Sequence, residues 1–164
     1  PIGDVEDGRE PVTIADIPLH PLTAPATAPQ TWQLDRTLSA LYLLVAADLP
    51  TDTREGFLEA FKAKQNWYGV PIADISITYA DGTERTRPVY YGSEVRAVAG
   101  DDPKPHAWGA LGWAPIDADG TPLMAYLLEV PNPTPGVTVT SITFTPRETG
   151  CTPMLLGLAA RSVR

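Results

Sequence analysis

Between Ile72 and Tyr79 the chain alternates Ile75, Ile77 and Tyr79 with Asp74, Ser76 and Thr78. Successive side chains of a strand point to opposite faces, so a period of two predicts a strand with one buried and one wetted face. Asp81-Gly82 then supplies residues that tolerate positive φ, and Thr83 to Tyr91 returns as a partner. The stretch from Ile72 to Gly92 therefore reads as a β-hairpin.

Thr37 to Ala47 is almost continuously apolar. Periodicity alone leaves a strand covered on both faces and a buried helix equally open here. Leu49-Pro50 ends the run, and Asp52 with Glu55 three residues on forms a capping-box signature. Phe57, Leu58 and Phe61 then share one helical face, with Lys62 and Lys64 near the end where the helix dipole favours cations. One short surface helix is expected.

The remaining apolar segments are short. Val12 to Leu19 predicts a first strand interrupted by Pro18, and residues 21–30, with three prolines and no sustained period, predict a loop. Trp113 to Pro115 and Leu123 to Val130 read as strands around the Asp117-Ala118-Asp119-Gly120 turn. Val137 to Phe144 is another strand, and its apolar phase shifts from Val137 and Val139 to Ile142 and Phe144, which predicts a bulge near Thr140-Ser141. Met154 to Ala160 closes the set. Many short strands joined by turns, with 18 Pro and 13 Gly in 164 residues, give an all-β class and an antiparallel β-sandwich with one short helix. Residues 1–10 read as a linker or frayed end, and 11–164 as a single domain.

Three segments carry a resemblance: "ALYLLVAA" (Ala40 to Ala47), the hairpin with "YADGT" and "YYG", and "EVPNPTPGVTVTSITF" (Glu129 to Phe144). Together they resemble the galactose-binding-like jelly-roll domains appended to bacterial polysaccharide-degrading enzymes, and they occur in the order those domains use. The resemblance implies that Thr37 to Ala47 is a strand, here placed at the sheet centre. It implies a secreted or cell-surface accessory domain, associated with a glycoside hydrolase or a similar catalytic domain, that binds a polysaccharide or oligosaccharide. It also implies a possible structural calcium in a loop, with no ligands assigned. One departure stands out. The return strand in those domains reads apolar-Pro-apolar-Arg-Tyr-Gly, whereas here Arg87 takes the first apolar place and Tyr90 the Arg place. A buried Arg87 needs a carboxylate partner, and otherwise the face carrying Arg85 and Arg87 must be open.

Charge narrows the partners. Twelve Lys plus Arg against twenty Asp plus Glu give a formal net charge of -8, which repels phosphate backbones and anionic lipid, so nucleic acid and membrane surfaces are poor partners. No apolar run of about 18 residues offers a membrane-spanning helix. Cys151 is the sole cysteine, so neither an intrachain disulfide nor a thiolate metal cluster is available. A chain that begins at Pro1 with Met only at 124 and 154 reads as a piece of something longer.

Catalytic chemistry is sparse. His20 and His106 belong to no metal-binding spacing, and no G-x-S-x-G is present. The Asp117 to Gly120 turn resembles the start of an EF-hand loop, but the final position that needs a bidentate Glu holds Leu128. Asp81 and Asp101-Asp102 read in the same way as turn residues. The aromatic residues carry more. Trp67, Tyr68, Tyr90, Tyr91, Trp108 and Trp113 cluster around two loops and the hairpin end. Sugar rings present C–H faces that stack on indole and phenol rings while charged neighbours hydrogen-bond the hydroxyls. Trp32 and Trp113 read as core. Trp67, Tyr68, Arg87, Tyr90 and Trp108 are the candidate ligand-binding residues, with core packing open as the other reading of each aromatic. The expected function is a non-catalytic carbohydrate-binding module. The alternatives are a structural or protein-interaction sandwich and a jelly-roll polysaccharide lyase or esterase.

Overall fold

The computed structural model describes residues 12–14, 16–63, 68–96, 110–113 and 124–163. Among the described residues, ten strands and one helix follow in order: β1 (Val12–Ile14), β2 (Ile17–Ala26), β3 (Gln30–Arg36), β4 (Leu38–Asp48), α1 (Thr51–Ala63), β5 (Gly69–Tyr79), β6 (Glu84–Gly92), β7 (Ala110–Trp113), β8 (Ala125–Pro131), β9 (Val139–Pro146) and β10 (Thr152–Ser162). Every pairing between them is antiparallel. They form a six-stranded sheet, β1-β2-β10-β4-β8-β7, and a four-stranded sheet, β3-β9-β5-β6. With β1 and β7 set aside as flanking additions, the inner orders β2-β10-β4-β8 and β3-β9-β5-β6 are those of a two-sheet jelly roll. The expected all-β sandwich with one short helix is the fold.

β4 lies inside its sheet between β10 and β8, as its unbroken apolar run requires. Leu41, Leu43, Val45 and Ala47 enter the core between the sheets, with Ile72, Ile75, Ile142 and Phe144 from the facing layer. Tyr42, Leu44 and Ala46 join a second apolar set on the other face, with Leu19, Ala125, Leu127 and Ala159. A strand buried on both sides leaves no alternation to read, which is why period two was silent there.

The hairpin forms as its pattern predicts. Gly82 N–H donates to Tyr79 C=O at 2.9 Å and Tyr79 N–H to Thr83 C=O at 2.9 Å, closing a three-residue loop with Gly82 at φ +81. That is a type I turn followed by a glycine bulge, so only Gly82 takes positive φ. Asp81 serves the turn instead, with Oδ1 accepting from Thr83 N–H at 2.9 Å and from Thr83 Oγ1 at 2.7 Å. Those two donors hold its carboxyl below the usual carboxylate range. The bulge expected near Thr140-Ser141 is also present. β9 slips register against both β3 and β5 between Val139 and Ser141, and Thr140 Oγ1 donates to Thr78 C=O at 3.2 Å.

Four expectations need correction. Val12 to Leu19 is not one strand interrupted by Pro18, because β1 ends at Ile14 and Pro18 lies within β2, paired with Thr13. Residues 21–30 are not a loop, because β2 continues to Ala26, with Leu22 and Ala26 buried. Pro25 is tolerated because it falls where the register with β10 shifts, between Gly157↔Pro21 and Leu155↔Ala26. α1 starts at Thr51, which puts Asp52 in its first turn rather than at the cap. Thr53 ties the entrance instead, with Oγ1 donating to Gly150 C=O at 3.1 Å in the β9–β10 connection. Tyr91 belongs to the core, with no exposed surface and its ring edge-on to Phe57 of α1 at 4.9 Å. Trp32 is core as expected. The segment 1–10, Pro115 and the Asp117 to Gly120 turn lie outside the described residues.

One polar residue bridges the sheets. Asn132 follows β8 in the Pro-Asn-Pro segment and is 6% exposed. Its Nδ2 donates to Leu38 C=O at 2.8 Å, its Oδ1 accepts from Tyr79 Oη of the opposite sheet and from Thr134 N–H at 3.0 Å, and its backbone N–H donates to Ser39 C=O at 2.9 Å. The amide thus ties the start of β4, the end of β5 and the β8–β9 turn to one point.

Asn132→Ala strands several buried groups at once and is expected to cost about 2–4 kcal/mol in chemical denaturation. Tyr79→Phe leaves Asn132 Oδ1 its Thr134 donor and is expected to cost about 1 kcal/mol. Equal losses from the two variants would contradict the amide as the hub. Cys151 gives a pH test of the same core. Burial pushes its thiol from 9.0 up to about 12, with Asp48 adding to the rise. Its contribution to stability is full below about 9 and erodes as pH climbs toward 12, because the unfolded chain ionises first. At pH 8 a disulfide reagent is expected to modify Cys151 only at the rate of unfolding, and immediate modification of native protein would place it at the surface instead.

Candidate functional site

β6 is one of the two outer strands of the four-stranded sheet, and an outer strand leaves half its backbone donors without a neighbour. Its closing half is treated in three ways. Pro88 has no N–H to leave open. Beyond Gly92, at φ +111, the chain folds back beside the strand, so that Val95 makes a parallel bridge with Tyr91. The third device is Glu94, whose side chain is only 3% exposed. Its Oε2 accepts Tyr90 N–H at 2.8 Å, and its Oε1 accepts Nη2 of Arg87.

Arg87 therefore has the carboxylate its position demands. Its Cα stands opposite Ile75 and that of Arg85 opposite Ile77, on the face the isoleucines turn to the core. Val89 and Tyr91 continue that face inward, so the strand changes from apolar to cationic along one side. The Arg87 side chain keeps 35% of its surface exposed, and its Nη1 is buried without a hydrogen-bond partner.

The opposite face of the strand carries Tyr90. Its ring lies 5.6 Å from that of Tyr68, tilted by 35°. Tyr68 precedes β5, is 54% exposed, and is held by Ser93, whose hydroxyl donates to Tyr68 C=O at 2.7 Å. Gly69 and Gly92, paired across the hairpin and both at positive φ, let the two chain ends turn sharply beside the rings. Beneath this face Arg147 forms a two-pronged ion pair with Asp74, Nε to Oδ2 and Nη2 to Oδ1, both 2.7 Å. That bond raises the guanidinium's pKa, and Tyr90 lies within its electrostatic reach.

Tyr68, Arg87, Pro88, Tyr90, Ser93 and Glu94 together line an open cleft of about 310 Å³. A pair of phenol rings with hydrogen-bonding hydroxyls, beside a guanidinium with a spare donor, is an apolar wall with a polar corner. Of the five residues expected from sequence, the structure brings Tyr68, Arg87 and Tyr90 together. Trp67 and Trp108 lie outside the described residues, and Trp113 is described only through the strand β7. Glu94 and Ser93 were missed, although a buried arginine called for an acid and Glu94 is the first acid after Arg87 in the chain.

Metal binding finds no support in this part of the chain. Among the described residues no three His, Cys, Asp or Glu side chains gather where they would hold an ion, and Asp81 is engaged by Thr83. Asp101-Asp102 and Asp117 to Gly120 lie outside the described residues, so no calcium ligand is assigned. No protein-family model matches the chain, and no curated protein does.

Removing the acid tests the edge closure. Glu94→Ala leaves the Arg87 guanidinium and the Tyr90 N–H unpaired, and is expected to lower unfolding free energy by about 2–4 kcal/mol, below the usual range for a fully buried pair because Arg87 is partly solvated. Thermal or urea unfolding reads it, and a loss under about 0.5 kcal/mol would show that the edge closes without Glu94.

Proposed function

We propose that the chain is a non-catalytic carbohydrate-binding module of a secreted bacterial polysaccharide-degrading enzyme, with its glycan lying on the Tyr68–Tyr90 pair. The observation that carries this reading is the tilted tyrosine pair, Tyr68 exposed and Tyr90 half-buried, in a cleft whose other wall is the Arg87–Glu94 ion pair. Tyr68 keeps over half its surface in water, so a sugar C–H face can cover the ring without repacking the core. Arg87 is fixed by Glu94 before a ligand arrives, so little side-chain freedom is lost on contact. The jelly-roll topology and the three sequence segments that resemble accessory domains agree with this role. A few stacking contacts and hydrogen bonds give weak binding at one site, and tethering to an adjacent catalytic domain turns that into a useful local concentration.

Affinity electrophoresis through gels containing individual cell-wall polysaccharides tests the reading. The protein is expected to be retarded by at least one polymer, and Tyr68→Ala to weaken retardation roughly tenfold, the equivalent of about 1.4 kcal/mol. Because Tyr68 is exposed, the variant should unfold within about 0.5 kcal/mol of the parent. Retardation by none of a broad panel would contradict the reading and favour an interaction or scaffolding sandwich.

A further inference from the structure

A second groove shares Arg87 with the first cleft. Its volume is about 230 Å³, and Ile75, Ile77, Arg85 and Arg87 line it from the hairpin while Val130 and Pro131 face them from the other sheet. Arg87 lines both clefts, so the two sit on either side of one side chain at the β6 edge. Among the described residues that line the pair, the charged ones are Arg85, Arg87 and Glu94, and Glu94 is occupied by Arg87 and the Tyr90 N–H.

One positive charge is thus left over. The side-chain hydrogen bond of Arg85 goes only to a backbone oxygen, Glu84 C=O at 3.3 Å. Neither of the acids nearest to it in the chain is hydrogen-bonded to it: Glu84 Oε1 accepts from Thr86 Oγ1 at 3.1 Å, and Asp81, whose Oδ1 holds both donors of Thr83, feels the Arg85 charge only through space. Arg87 adds Nη1, buried and still without an acceptor. In a chain of net charge -8, two guanidinium groups on an apolar floor, with no free carboxylate among the described lining residues, form a local exception. Guanidinium forks match the paired oxygens of carboxylates and of sulfate esters, and the wider negative field is screened beyond about 8 Å at physiological salt.

We infer that the two clefts take a glycan bearing anionic groups, its sugar face on the tyrosines and a carboxylate or sulfate oxygen between Arg85 and Arg87. This rests on the carbohydrate-binding reading and adds the class of sugar. It also gives the replacement of an apolar residue by Arg87 a role in recognition, beyond the repair of the outer strand.

The test compares three polymers: polygalacturonate, the neutral polymer made from it by reducing its carboxyl groups, and a sulfated galactan. Binding to at least one anionic polymer is expected to be about tenfold tighter than to the reduced polymer, and to weaken as salt rises. Whichever anionic polymer binds identifies the anion as carboxylate or sulfate. The exposed Arg85→Ala should remove most of that preference while leaving the fold intact. Equal binding to the reduced and anionic polymers, or a preference unchanged by Arg85→Ala, overturns the inference; Tyr68-dependent retention would then still uphold the module. Binding to no polymer in this set or in the broader panel overturns both.

Discussion

An antiparallel sandwich ends in strands whose outer backbone groups have no partner, and the way one such strand is finished governs what this molecule displays. On β6 the finish is a buried carboxylate. Glu94 takes up a backbone N–H and a guanidinium at once, which lets the chain fold back on the strand and fixes Arg87 next to Val89 and Tyr91, where that face passes from core to cationic. The cost of burying that acid is offset only because both its oxygens are engaged. Tyr68, Tyr90 and the cleft take their positions from the same closure, through Ser93 and the paired glycines.

A second constraint holds the layers to each other. The apolar contact between sheets has no direction of its own, and many small slides would bury nearly as much surface. Asn132 removes that freedom, since its amide reaches Leu38 of one sheet and Tyr79 of the other. Tyr79 also ends the first hairpin strand, so the amide and the Gly82 turn locate the same point from two sides. The proposed site at the far end of the hairpin inherits its position from this anchor.

Much of the frame was legible because period two survives wherever a strand has one wet face. Ile75, Ile77 and Tyr79 announced β5, and the phase change at Thr140 announced a bulge the register confirms. β2 was read as loop because Pro21 and Pro25 are breakers in isolation. Only the partner strand reveals that pairing skips the segment between Pro21 and Ala26. The candidate site was legible in its aromatic part and obscure in its charged part. Tyr68 and Tyr90 could be picked out by composition, but Tyr91, next in the chain, lies inside, and nothing short of strand parity separates them. Glu94 was obscure because its partnership with Arg87 depends on a turn that reverses the chain within four residues.

The most direct measurement is an NMR titration of the isotope-labelled protein with oligosaccharides prepared from plant and algal cell-wall polymers. The account predicts saturable shifts confined to Tyr68, Tyr90, Ser93 and the Arg85 and Arg87 side chains, with the amides of α1 and the inter-sheet core unmoved. Saturable shifts centred on any other surface, or no shifts with any of the oligosaccharides, would contradict it.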